Sequence, residues 1–81
     1  MKLILFYAPW CGPCKMSHHF WDEHVGNHPE IIHEEVDIDA NPDKAALYGV
    51  MAVPTVLKLN DKNEVVNTHV GSYNKDALER L

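Results

Sequence analysis

The sequence holds no cluster of lysine and arginine. Its 7 basic residues are outnumbered by 12 acidic ones, for a formal net charge of −5. A surface that neutralises phosphates needs a basic patch, so no nucleic-acid partner is expected. A long apolar run is missing too. The stretch from residue 3 to 8 is far too short to span a bilayer, and it lacks the small-residue cleavage pattern of a secretory signal, so neither a membrane segment nor a leader is expected. Internal repeats and low-complexity tracts are also lacking. Eighty-one residues leave room for one domain and no second, so 1–81 is read as a single domain. A cytoplasmic monomer is the expectation. Cysteine is scarce as well, two in all, and the two stand close together.

They stand in Trp10-Cys11-Gly12-Pro13-Cys14, directly after the apolar run Leu3-Ile4-Leu5-Phe6-Tyr7. A strand that runs into a loop and then into a helix leaves the first thiol at a helix N-terminus. Unsatisfied backbone N–H groups and the positive end of the helix dipole there favour a thiolate. Gly12 permits the tight turn, and Pro13 fits the first helical turn, where its missing N–H costs nothing. Two cysteines so spaced can close a short disulfide ring or open it to a dithiol, carrying two electrons and two protons with no bound cofactor. Two other readings compete. A structural zinc site needs four ligands, and no histidine repeats zinc-finger spacing, so no metal is expected. A passive staple across two residues would constrain the unfolded chain little, because the entropic effect grows with loop length. Redox use is therefore preferred, and more so for a cytosolic chain whose only cysteines form this pair.

Along the chain, Lys2 to Tyr7 reads as a buried strand of a sheet covered on both faces. Pro13 to about Val25 reads as a helix with Cys14, Met16, Phe20, Trp21 and Val25 inward, stopped by Gly26-Asn27. Ile31 to Asp37 reads as an edge strand protected by His33, Glu34 and Glu35. A short helix from Asp43 to Tyr48 follows, with Asn41 as N-cap, Pro42 in its first position and Gly49 as its stop. Val56–Leu59 and Glu64–Val70 form an antiparallel hairpin around Asn60-Asp61-Lys62-Asn63. A helix from Ser72 to Leu81 closes the chain, capped by Ser72 or Asn74, with Ala77, Leu78 and Leu81 inward. The order implies a three-layer α/β sandwich on one mixed, four-stranded sheet.

Five motifs resemble the thioredoxin family in order and spacing. They are Trp10-Cys11-Gly12-Pro13-Cys14-Lys15-Met16, Val36-Asp37-Ile38-Asp39 with Asn41-Pro42, Tyr48-Gly49-Val50, Val53-Pro54-Thr55, and Val70-Gly71. The resemblance implies a protein-disulfide reductase in which Cys11 attacks, Cys14 resolves and Pro54 is a cis-proline facing the disulfide. It implies a shallow apolar substrate surface made by Trp10, Gly12, Pro13, Gly49, Val53, Pro54 and Gly71. The partners it implies are disulfide-containing proteins and a flavin- and NADPH-dependent thioredoxin reductase. Rival functions are a glutaredoxin-like enzyme fed by glutathione, and a non-catalytic binding module. The glutaredoxin signature of two glycines and an aspartate after the last strand is replaced here by Gly71-Ser72-Tyr73.

Departures from the family carry their own expectations. The first strand and helix of full-size members have no counterpart, which makes Ile31–Asp37 an edge. The family's buried aspartate beneath the resolving cysteine falls at Leu5, and its kinking proline at His19, so a straighter helix is expected. Glu35 lies where it could take over as proton acceptor, although a solvated edge charge is the simpler reading. Asp37 and Asp39 read as turn residues. His24 and His28 read as separate surface histidines, because Gly26 and Asn27 should end the helix between them.

Overall fold

The apolar run at the start becomes the central strand because both of its faces are covered. In a computed structural model describing all 81 residues, β1 (Lys2–Tyr7) lies between β2 (Ile32–Asp37) and β3 (Thr55–Leu59), with β4 (Val65–Val70) beyond. β2 runs parallel to β1, whereas β3 is antiparallel to both β1 and β4, so the sheet is mixed as expected. Alternate residues of β1 point to opposite faces. Leu3 and Leu5 pack with Trp21, Val56, Tyr73 and Leu78 under α1 (Gly12–Asn27) and α3 (Lys75–Glu79). Ile4 and Phe6 pack with Val36, Ala45, Leu57 and Leu59 under α2 (Pro42–Leu47). Three layers result.

Helix α1 is unbroken through His19 and runs on to Asn27, past Gly26, with His28 as its C-cap. Its inward stripe differs from the expected one: the buried residues are Cys14, Ser17, Trp21 and His24. Met16 is 78% exposed, because two positions along a helix turn a side chain about 200° from Cys14. Val25 is exposed at the margin of the stripe, and Phe20 packs half-buried against the core. Polar Ser17 sits inward for a reason. Its Oγ accepts the Tyr73 backbone N–H at 3.2 Å and so holds the approach to α3 against α1. Ser17→Ala would leave that buried N–H without a partner, and the expected loss is about 1–3 kcal/mol in urea denaturation.

The shorter elements follow local chemistry. Gly49, at φ +68°, ends α2, and Asn41 holds the N-cap position there, although its side chain makes no capping bond. Asn60 Oδ1 accepts the N–H groups of Lys62 and Glu64, shaping the expected turn between β3 and β4. The closing helix is shorter than the stretch from Ser72 to Leu81. It begins where Asn74 Oδ1 accepts from Ala77 N at 2.9 Å, with Leu78 buried. On β2, Glu34 pairs with Lys2 at 2.8 Å and also with Lys44. No helix is long and apolar enough to cross a membrane.

Candidate active site

What converges on the cysteines comes from the end of β1, the start of α1 and loops at one end of the sheet. β1 stops at Tyr7, and the turn through Ala8-Pro9-Trp10 delivers Cys11 to the N-cap of α1, with Cys11 N–H donating to Ala8 O at 3.1 Å. Cys11 Sγ accepts the Cys14 N–H at 3.2 Å, as an N-cap side chain does. Cys14 stands one turn into the helix, and the two cysteines form a disulfide with Cα atoms 5.3 Å apart. When the bridge opens, the same N–H and the helix dipole are already aimed at Cys11 sulfur, which favours its thiolate.

The two cysteines are almost equally covered, although one is to attack and the other to resolve. Cys11 is 4% and Cys14 6% exposed, because both pack with Ala8 against Tyr7, Ile38 and Val53. Their difference lies in position. Cys14 also lines a cleft of about 460 Å³ with Tyr7, Ala8, Pro9, Lys15 and His18, so its side of the bridge faces a path to solvent.

The expected substrate surface is only partly assembled. Trp10 is 66% exposed, and its indole Nε1–H donates to Asp39 Oδ2 at 2.8 Å, fixing the ring beside the disulfide. Gly12 and Pro13 are exposed next to the sulfurs. The Val53–Pro54 bond is cis, as the resemblance implies. Pro54 itself is fully buried, however, because its carbonyl accepts the Gly71 N–H at 2.8 Å and β3 begins just after it. Val53 is half-buried and takes no part in backbone hydrogen bonds, and its carbonyl oxygen lies 3.7 Å from Cys11 Sγ. Gly49 lines a different cleft, alongside Val65 and Val70 of β4.

Leu5 is buried in the apolar cluster beneath α1, and Glu35 lies opposite it in the β1–β2 register. Glu35 does not reach inward. Its carboxylate pairs with His18 Nε2 at 2.8 Å, while His18 Nδ1 lies 3.4 Å from Asp22. The hydrogen bond to Glu35, above all, holds the His18 pKa above its ordinary value against the opposing effect of desolvation, and the Asp22 charge adds to it. His18 was invisible as a site residue in the sequence. The signal was its position four residues after Cys14, which puts both on one side of a helix. Asp39 forms the expected turn, since Asp37 Oδ1 accepts from Asp39 N at 2.9 Å, but its side chain serves Trp10.

Comparison with known proteins places this geometry. The thioredoxin family model matches residues 1–81. Thioredoxin of Bacillus subtilis is 46% identical over 79 residues, covering 94% of this chain and 73% of the relative. Thioredoxin of Chlamydia trachomatis is 39% identical over 81 residues, covering all of this chain and 78% of the relative. Among solved structures, oxidised mitochondrial thioredoxin 3 from Saccharomyces cerevisiae superposes with a TM-score of 0.89 at 34% identity, covering 98% of this chain and 73% of that one. Fasciola hepatica thioredoxin gives 0.90 at 32% identity, covering 98% and 74%.

Proposed function

The chain belongs to the thioredoxin family and is a thiol–disulfide oxidoreductase; from that premise we propose that it is a cytoplasmic, monomeric reductant of protein disulfides. The observation that carries the reading is Cys11 sulfur at the N-cap of α1, in hydrogen-bond contact with Cys14 N–H. The Cys11 thiolate attacks one sulfur of a substrate disulfide, forming a mixed disulfide and releasing the other sulfur as a thiolate that takes up a proton. Cys14 then loses its proton and attacks Cys11 sulfur, which releases the second substrate thiol and closes the Cys11–Cys14 bond. Two electrons have passed to substrate, and the dithiol alone has carried them. A flavin- and NADPH-dependent reductase returns the pair to the dithiol. Trp10, Gly12, Pro13, Val53 and Gly71 receive the substrate chain, with Val53 offering its unpaired backbone N–H as a point of strand-like docking. Pro54 supports this surface from beneath, and Gly49 stands apart in the cleft bordered by β4.

Insulin-type disulfide reduction tests the electron source. NADPH with a thioredoxin reductase should sustain turnover, and glutathione should not; the reverse result would make the enzyme glutaredoxin-like.

The proton from Cys14 leaves through the adjoining cleft to His18, with Glu35 as the residue that positions the imidazole. Around His18 stand Asp22 and Lys15 on its own helix, Glu35 from β2, and Tyr7 at the end of β1, with the buried Tyr73 phenol close enough to feel both carboxylates. His18 accepts a proton only when it is neutral, above its raised pKa, so the resolving step should quicken as pH rises through that value. His18→Gln should slow this step roughly tenfold, less than the full effect of a positioned base because water also reaches the cleft, and flatten its pH profile. Glu35→Gln should shift the inflection to lower pH, because a neutral amide accepts from His18 more weakly than the carboxylate that raises its pKa. Rapid-mixing measurements of mixed-disulfide decay read both, and an unchanged inflection in His18→Gln would assign the proton to solvent instead.

A further inference from the structure

The far end of α1 carries a second cluster of side chains that disulfide exchange does not use. His24, His28 and Glu79 each present a ligand atom within 4.8 Å of the others. His24 is buried, and His28 and Glu79 are more open. They stand together because α1 continues past Gly26, bringing His24 and His28 to one side with ring centroids 4.3 Å apart. The end of α3 supplies Glu79, whose Oε1 is 2.9 Å from His28 Nε2. Cys14 is ten residues from His24, about 15 Å along the helix, so this cluster is separate from the disulfide.

From this arrangement we infer that His24, His28 and Glu79 bind a divalent transition-metal ion such as Zn²⁺, clamping the end of α1 to the end of α3. Two imidazoles and one carboxylate with an open fourth position are a donor set that suits zinc. The outer contacts match what metal-binding histidines need, a partner on the other ring nitrogen that fixes the ring and its tautomer. Ile31 carbonyl accepts from His33 Nδ1–H at 3.0 Å, so with both rings neutral His33 Nε2 accepts from His24 Nδ1–H at 2.8 Å. That chain leaves His24 Nε2 as a bare lone pair. His28 Nδ1 faces Glu30 Oε2 at 3.1 Å while its Nε2 faces Glu79. An ion can take the place of the proton between His28 Nε2 and Glu79, leaving Nδ1–H to serve Glu30 while Nε2 and Glu79 both turn to the metal. Donor atoms around a tetrahedral zinc stand about 3.3 Å apart, so the three groups need to close by no more than about 1.5 Å. The side chains line a recess of about 290 Å³ with Leu78 and Leu81, which shelters one side of the ion.

The test uses the full chain with the disulfide closed, so that no thiolate is available to metal, and adds CoCl₂ or ZnCl₂ alone. One Co²⁺ per chain should bind with the intense visible bands of a four-coordinate ion, be displaced by Zn²⁺, and raise the melting temperature. His28→Ala and Glu79→Gln replace partly exposed side chains, and circular dichroism should show both variants folded without metal. His28→Ala should weaken binding by roughly 100-fold and Glu79→Gln by roughly tenfold, because losing a ligand costs at least as much as losing an outer partner. Insulin reduction by metal-free variants should match the parent. Absent visible bands, or Co²⁺ affinity unchanged in both variants, would overturn the assignment.

Discussion

Replacing Cys11 with Ser should drop disulfide reduction to the level of a protein-free control, while Cys14→Ser should complete one attack and stop. The difference follows from where the two sulfurs sit. Cys11 sulfur caps α1 and meets Cys14 N–H at 3.2 Å, so opening the bridge leaves it as the thiolate that the helix terminus stabilises. A serine hydroxyl in its place stays protonated at neutral pH and attacks no disulfide. Cys14 is as buried as Cys11, and what sets it apart is position: it sits one turn into α1, away from the helix terminus that stabilises the attacking thiolate. Its task is to attack Cys11 sulfur, across a Cα separation of 5.3 Å that already suits the bridge. Without it the mixed disulfide has no internal exit and accumulates. Non-reducing electrophoresis and intact-mass measurement of Cys14→Ser with a disulfide substrate should show one covalent adduct per chain, released by dithiothreitol. Sustained turnover by that variant would rule out the two-cysteine cycle.

Leu5→Asp should be the most destabilising of the single substitutions considered, by about 3 kcal/mol or more. Leu5 is 1% exposed and packs among Leu3, Trp21, Val56, Tyr73 and Leu78. A carboxyl there loses the apolar contacts and gains no partner, and Glu35 opposite it in register adds a like charge. A domain of this size has a total stability on the order of 4–12 kcal/mol, so the variant sits close to unfolding. Burial raises the folded-state pKa of the new carboxyl above its unfolded value near about 3.9. Below that value the acid is neutral in both states and the deficit is smallest; as pH rises the unfolded chain ionises freely while the folded one resists, so the deficit grows. Urea denaturation at pH 4 and pH 7 should show the larger loss at pH 7. Parental stability at pH 7 would mean that position 5 does not face the core.

Most of the architecture is written in short-range signals. The unbroken apolar run of Leu3 to Phe6 announces a strand covered on both faces. Pro42 after Asn41, Gly49 after Tyr48, and Asn74 before the last helix mark helix ends by backbone preference or by a bond made within a few residues. The disulfide pair belongs to the same class, because a three-residue separation and a helix start suffice to describe it. In two places local preference yields to a stronger demand. Gly26-Asn27 reads as a stop, but α1 continues through both, and the C-cap His28 N–H still bonds to His24 O at 3.0 Å. Met16 reads as core, but Cys14 and Trp21 fix which face turns inward, and Met16 lies on the other.

What the sequence determined by itself was therefore the order of elements and the reactive pair, since hydrophobic periodicity and capping act over one or two turns of chain. The tertiary structure alone decided which side chains surround that pair and which gather elsewhere. His18 meets Glu35 across 17 residues, Trp10 meets Asp39 across 29, and His28 meets Glu79 across 51. The burial of Pro54 and the near-equal exposure of the two cysteines belong with them. Each depends on sheet register and on how α1 and α3 lie against one face, and no pattern along the chain encodes a distance between residues that only the packed core brings together.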